Sequence, residues 1–180
     1  MYTSPSGLTL GFHGCDKKIA DKVLSGNMRL NLSTNAYDWL GNGIYFWENN
    51  PDRALEYAKF LMKHPARIKT PIKEPAVIGV VLNLGNCLNL LESSSIKIVK
   101  QGYTLLSKTL KRGGIDIPVN KQQEHGVLLL RHLDCAVIEA VHQYRGDKAD
   151  EPDFDSVRAM FTEGRELYEN AGFNATKTSD

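Results

Sequence analysis

The spacing of apolar and polar residues divides the start of the chain into a strand and a helix. The apolar segment at 8–13 predicts a strand that ends at His13. Asp16 then predicts a helix start, because an aspartate can cap the first free N–H groups of a helix. Apolar positions fall on one side of this helix as far as about Leu24, and Gly26 predicts its end.

A second strand and helix follow. The β-branched and aromatic residues at 43–48 predict a short strand. Asn50 and Pro51 predict a helix start, since asparagine caps well and proline suits the first turn. An alanine- and leucine-rich apolar side predicts that this helix continues to about His64.

The rest of the chain predicts longer elements. The apolar run at 76–84 predicts a central strand that is buried on both faces. Helical spacing predicts helices over 93–111 and 123–143. A last strand is predicted over 156–162, and the polar tail at 170–180 is expected to be mobile.

Length and composition favour one folded domain. The 180 residues are 42% hydrophobic and 24% charged, so we predict a single α+β domain over 1–180. The net charge of +1 gives no sign of a nucleic-acid binder and does not exclude a nucleic-acid substrate. No run of roughly 18 apolar residues predicts a membrane span, and the absence of signal-peptide features predicts a cytoplasmic protein. The three cysteines are widely separated, which favours reduced thiols, and the histidine spacing predicts no metal site.

Three short elements carry the candidate chemistry. The first is Phe12-His13-Gly14, a histidine at a strand end followed by a residue that permits close approach. The second is the run 33–46, which ends in Gly41-Asn42-Gly43-Ile44-Tyr45-Phe46. The third is the helix start at Asn50-Pro51. Two glycines one residue apart ahead of a strand indicate a loop with unusual dihedral angles and close ligand contact.

In this order the elements resemble the His-Gly and Gly-x-Gly-Ile-Tyr-Phe signatures of the ADP-ribosyltransferase superfamily. The branch that they resemble is the poly(ADP-ribose) polymerase and diphtheria-toxin-like (His-Tyr-Glu) branch. The match covers roughly the first half of the chain, where the run at 76–90 is similar to the next core strand of that fold. The resemblance implies a split mixed β-sheet core with flanking helices, and NAD as a substrate.

The resemblance also implies roles for single residues. His13 would hydrogen-bond the ribose attached to adenine, and the Gly14 backbone would pair with the nicotinamide carboxamide. Tyr45 would stack on the nicotinamide ring, and Tyr37 would close over its other face. The remaining cleft residues would be Ser33, Gly41 and Gly43. These residue types suit the ligand, because aromatic rings stack on a flat cation and histidine can hydrogen-bond a hydroxyl.

The family's reaction breaks the bond between nicotinamide and ribose through a state with positive charge on the ribose. A carboxylate stabilises that charge, as in glycoside hydrolysis. Glu163, after the predicted last strand, is the first candidate, Glu166 the second, and Glu139 the third because its segment is predicted to be helical. No adequate strand follows Glu163, whereas the family's fold continues with further strands. We therefore expect a carboxy-terminally truncated domain, or a catalytic position that is missing.

Structural interpretations stand beside these roles. His13 by itself is more typical of a core histidine than of a ligand-binding one, and the Gly-Ile-Tyr-Phe loop favours ligand binding instead. We assign Tyr45 to the cleft and Phe46 to the core, and Tyr37 would equally serve to fix its loop. Cys15 lies two residues from His13, which raises a Cys–His nucleophile as a further hypothesis.

Function follows from the resemblance as an expectation. It implies an NAD-dependent ADP-ribosyltransferase that modifies a protein, DNA or RNA, in the manner of a bacterial or phage toxin or defence effector. A neutralising antitoxin protein would then be a partner, with 123–143 and 164–173 as candidate contact surfaces. The alternative is a catalytically impaired NAD-binding or interaction module on the same fold. A second alternative is an RNA 2′-phosphotransferase-like enzyme, for which the region offers only Arg29 and Arg53 as basic residues.

Overall fold

The structure, a computed structural model, describes residues 7–122, 128–148 and 150–160. The described chain forms two compact units. The first contains residues 7–32 and 44–84, and the second contains residues 33–43 and the described residues from 85 onward.

The first unit is a three-stranded sheet with helices on both faces. Its elements are β1 (Thr9–Asp16), α1 (Lys17–Leu24), β2 (Trp47–Glu48), α2 (Pro51–Lys63), a 3₁₀ turn (Pro65–Arg67) and β3 (Pro75–Leu82). The strand order is β2-β1-β3, and both pairings are antiparallel. β1 is therefore the central strand and the one that holds His13.

The two helices of this unit cover opposite faces of the sheet. Cys15 forms a buried cluster with Ala20 of α1 and with Ile78 of β3. The neighbouring Gly14 faces Ala54 of α2 instead. Because successive residues of a strand point to opposite faces, α1 and α2 enclose β1 from two sides.

Both helix starts in the first unit agree with the sequence. The Asp16 side chain accepts the N–H of Lys18 at 3.0 Å, and α1 begins at the next residue. The Asn50 side chain accepts the N–H of Arg53 at 2.9 Å, with Pro51 in the first turn of α2. Side-chain caps of this kind satisfy N–H groups that have no partner within the helix.

Two strand predictions in this unit are wrong in part. The segment predicted at 76–84 does form a strand, β3, but it lies at an edge of the sheet that the described residues form, and Val81 is 61% exposed. The sequence of an apolar edge strand resembles that of a central strand, because a strand's own residues do not show whether it pairs on one side or on both. Of the strand predicted at 43–48, only Trp47 and Glu48 pair with β1, whereas Gly43 pairs with Ser33.

The second unit packs two helices against short strands. Its elements are β4 (Cys87–Asn89), α3 (Ser93–Arg112), β5 (Lys121–Gln122), β6 (Leu128–Leu130), α4 (His132–Gly146) and β7 (Ser156–Arg158). β4 and β7 are parallel, and β5 and β6 are antiparallel. The core consists of Leu88, Ile138 and Val141, so α4 packs on β4. Helix α3 confirms the helix predicted at 93–111.

The helix predicted over 123–143 is wrong over 128–131, because β6 occupies Leu128–Leu130 and α4 begins only at His132; residues 123–127 lie outside the described residues. The Asn120 side chain, from outside the helix, accepts the N–H groups of Leu133 at 2.8 Å and Asp134 at 3.2 Å. The helix therefore begins where these first donors are satisfied. The last predicted strand is shorter than expected, Ser156–Arg158. The tail predicted to be mobile at 170–180 lies outside the described residues.

The fold class is mixed α+β, with a small antiparallel sheet, a parallel strand pair and four α-helices in the described chain. The single domain over 1–180 stays a prediction. Among the residues that the structure describes, no helix combines the length and hydropathy needed to cross a bilayer.

Candidate functional site

The structure brings the two main motif residues of the first unit together. The Nδ1 atom of His13 lies 2.8 Å from the carbonyl oxygen of Tyr45, 32 residues further along the chain. The rings of His13 and Phe46 are 5.8 Å apart between centroids. The His-Gly strand and the Ile-Tyr-Phe segment therefore meet at one point.

This contact fixes the hydrogen-bonding state of His13. A carbonyl oxygen only accepts, so Nδ1 carries the proton and donates it to Tyr45. In the neutral ring, Nε2 is then an acceptor. The neutral ring would then accept a ribose hydroxyl at Nε2, and the contact of His13 with ribose stays a prediction.

Gly14 has its backbone groups on the side of β1 where β2 ends. The carbonyl of Leu10 accepts the N–H of Asn49 at 2.9 Å. The backbone N–H and C=O groups of the even-numbered residues of β1 therefore point toward β2. The last residue pair of that ladder is Phe12 with Trp47. The N–H and C=O of Gly14 therefore point past the end of β2, an arrangement that suits a carboxamide.

Gly14 also has a structural reason for being glycine that the sequence did not reveal. A Cβ at this position would lie 3.0 Å from the carbonyl carbon of Ala54 and 3.1 Å from the Cβ of Ala58. Close packing of α2 on β1 thus explains this glycine without a ligand.

The aromatic residues after Tyr45 pack on α2. The Arg53 guanidinium lies 5.0 Å from the centre of the Trp47 ring, and Tyr57 meets the same ring edge-on at 6.2 Å. Arg53 is buried and also pairs with Glu56 at 3.3 Å. One of the two basic residues considered for a phosphotransferase is thus held in packing contacts, which disfavours that alternative.

In the second unit, residues 33–43 form a compact loop, called the glycine loop below. Its ends are joined because Ser33 and Gly43 exchange backbone hydrogen bonds at 2.8 and 3.1 Å. The Asp38 carboxylate accepts the Ser33 hydroxyl at 2.5 Å and the N–H of Asn35 at 3.1 Å. The Ser33 side chain therefore supports the loop from inside.

The two aromatic residues of the glycine loop contact α4 and the residue before it. Tyr37 meets the His132 ring edge-on at 5.9 Å, and the Arg131 guanidinium lies 4.7 Å from the centre of the Trp39 ring. These contacts support the structural interpretation of Tyr37, in which it fixes the loop. Its closure over nicotinamide stays a prediction.

The candidate carboxylates are only partly described. Glu163 and Glu166 lie outside the described residues. Glu139 lies on α4, as expected from its helical segment, and both of its oxygens contact Asn42. Gly41, beside this contact, has a φ of 81°, a left-handed conformation that favours glycine.

The surroundings of Cys15 disfavour the Cys–His nucleophile hypothesis. Cys15 is only 6% exposed, and burial together with the neighbouring Asp16 charge raises the pKa of its thiol. Burial also raises the pKa of Cys135. A nucleophilic cysteine needs an accessible thiolate, which neither environment favours.

Two further features of the described chain concern metal ions and small ligands. No group of three His, Cys, Asp or Glu residues within it could hold a metal ion. A pocket of about 210 Å³ in the second unit is lined by Ala36, Pro118, His132, Cys135 and Ala136. It is smaller than the few hundred Å³ that drug-sized ligands usually occupy.

Comparison with protein-family models, with curated proteins and with solved structures finds no match to this chain.

Proposed function

We propose that this chain is the NAD-binding core of an ADP-ribosyltransferase that modifies a macromolecule, on an ADP-ribosyltransferase-like fold. The observation that carries the proposal is the hydrogen bond from His13 to the carbonyl of Tyr45. It joins the two motifs whose order along the chain resembles the family.

The local chemistry supports NAD as the ligand. Nε2 of His13 would accept a ribose hydroxyl, and the Gly14 backbone would pair with the nicotinamide carboxamide. The Tyr45 ring would stack on the nicotinamide. Stacking of a flat cation on an aromatic ring contributes about 0.5–2 kcal/mol, and burial of the ring adds to this.

The transfer step needs a carboxylate near the nicotinamide ribose. The bond between C1′ of the ribose and the nicotinamide nitrogen breaks with its electron pair on nicotinamide. A nucleophile of the acceptor then bonds to C1′ and loses its proton. A carboxylate stabilises the positive charge that develops on the ribose, and Glu163 is the proposed residue.

Binding is tested by calorimetry with NAD. His13→Ala and Tyr45→Ala should each weaken binding, with a loss of about 1–3 kcal/mol for Tyr45→Ala. The matched controls are His64→Ala, which removes a similar 2.8 Å contact to a backbone carbonyl, and Tyr103→Ala on α3. Full affinity in both motif variants, or equal losses in the controls, would refute the NAD site.

Turnover is tested with labelled NAD and separated protein, DNA and RNA fractions from a host lysate. Glu163→Gln should lower transfer roughly a hundredfold and leave NAD affinity nearly unchanged. Glu166→Gln tests the second candidate in the same way, and Glu92→Gln, at a residue with only a local contact to Asn89, is the control. A wild-type chain that binds NAD but neither transfers nor hydrolyses it would favour the impaired binding module. Labelling of one fraction would identify the acceptor class.

A further inference from the structure

Glu139 connects α4 to the glycine loop through both oxygens of its carboxylate. Oε1 accepts the backbone N–H of Asn42 at 2.6 Å, and Oε2 accepts the Asn42 side-chain amide at 2.9 Å. The two residues are 97 positions apart in the sequence. Hydrogen bonds to an ionised acceptor are among the stronger ones in proteins.

The loop is shaped to receive this carboxylate. A Cβ at Gly41 would lie 2.5 Å from Oε1 of Glu139 and 3.0 Å from a methyl group of Ile138. Gly41 thus lets the loop backbone come close enough for the neighbouring N–H to reach Glu139. Any side chain at position 41 would keep the loop away from α4.

The same side of α4 holds the loop at another point. The Cys135 thiol lies 3.7 Å from the carbonyl oxygen of Asn35, and Glu139 follows it by one helical turn. A neighbouring face of α4, with Ile138 and Val141, packs in the core. One face of α4 therefore supports the loop and the other anchors the helix.

We propose that Glu139 is a positioning residue that holds the glycine loop in the conformation that binds NAD. This rests on the proposed function and on the resemblance, which implies that Gly41 and Gly43 are residues of the NAD cleft. In this role Glu139 holds the loop through both oxygens of its carboxylate and is distinct from the proposed catalytic residue, Glu163.

The test uses variants that break and then restore the pair. Glu139→Ala removes both acceptors. Glu139→Gln keeps one acceptor but places an amide group against the amide of Asn42. Adding Asn42→Asp to Glu139→Gln restores a donor–acceptor pair with its polarity reversed. Glu92→Gln is the matched control, because Glu92 accepts an asparagine amide at 2.8 Å within a local turn.

Two measurements separate this inference from the proposed function. Hydrogen exchange of peptides spanning the glycine loop reports its order, and NAD calorimetry reports binding. In the Glu139→Ala variant, loop exchange should rise by about tenfold or more, with a weaker NAD affinity. Exchange in α3 should stay unchanged, and the Glu139→Gln, Asn42→Asp double variant should recover both signals.

Unchanged loop exchange in Glu139→Ala, or no recovery in the double variant, overturns the positioning role. Lost turnover with an ordered loop and full NAD affinity would make Glu139 catalytic, which also overturns it. A disordered loop with full NAD affinity overturns the link to NAD binding, while the His13 and Tyr45 variants still test the proposed function separately. If Glu139→Ala does not fold, Glu139→Gln with and without Asn42→Asp gives the same comparison.

Discussion

Replacing Gly14 by alanine should destabilise the protein through the packing of α2 on β1. The new Cβ would lie 3.0 Å from the Ala54 carbonyl carbon and 3.1 Å from the Ala58 Cβ, and the Ala54 oxygen is closer still. Ala54 and Ala58 are fully buried, so neither has space to move aside. The obstacle is helix backbone, which cannot change rotamer as a side chain can.

The expected magnitude follows from how far α2 must move. Ordinary carbon–carbon contacts are about 3.5–4.0 Å, so the helix has to retreat by about half an ångström or more. Overpacking of a buried site costs about 1–3 kcal/mol. With a urea m-value of roughly 1–3 kcal/mol per molar, the unfolding midpoint should fall by about 1 M.

Urea unfolding followed by circular dichroism measures this change, with two other glycines as controls. At Gly43 no heavy atom of the described chain lies within 4 Å of a built Cβ, so Gly43→Ala should change stability by less than about 0.5 kcal/mol. At Gly11 the Cβ meets the end of the Leu82 side chain at 2.5 Å, which can rotate, so Gly11→Ala should be intermediate. If Gly14→Ala costs no more than Gly43→Ala, the packing argument is refuted.

Asp16 accepts three backbone N–H groups, so Asp16→Asn should lower the free energy of unfolding at pH 7 by about 1–3 kcal/mol. These hydrogen bonds lower the pKa of Asp16, so its contribution is complete above the ordinary carboxylate pKa of about 3.9 and is lost as the pH falls through the lower native pKa. The stabilities of the wild type and the variant should therefore converge in acid, and an undiminished difference at pH 2 would contradict this. Since burial raises the pKa of Cys15 and Cys135, iodoacetamide at pH 8 should modify Cys87 first, as mass spectrometry would show. Faster modification of Cys15 would contradict the assignment.

Local sequence signals predicted the parts of the fold that depend on near neighbours. Asp16 and Asn50 cap α1 and α2 where the sequence placed them, because a cap acts within three residues of its own position. The start of α4 was predicted wrongly because the side chain that satisfies its first N–H groups is distant in sequence. Asn120 lies 13 residues before Leu133, whose N–H it accepts. The edge position of β3 was missed because strand order depends on which strands pair, which no single strand encodes.

The candidate site shows the same division. That the segments of His13 and Tyr45 lie close together was expected from the resemblance, whereas the hydrogen bond between them was not predicted. The contact between Glu139 and Asn42 had no such signal, since a glutamate on a helix and an asparagine in a loop are both ordinary surface residues. The order of motifs along the chain thus predicts which segments meet. A hydrogen bond between two polar residues outside any motif is seen only in the structure.

The glycines of the two motifs now fall into separate classes. Gly14 is required by the approach of α2, and Gly41 by its left-handed φ and the approach of Glu139. Gly43 has neither reason: its φ is not in the left-handed region, and no heavy atom of the described chain would meet its Cβ. The resemblance implies that Gly43 is a cleft residue, and the packing of the described chain gives no other reason for this glycine. Gly43→Ala therefore tests the predicted ligand contact with little effect on packing, whereas Gly14→Ala would disturb the packing of α2 as well.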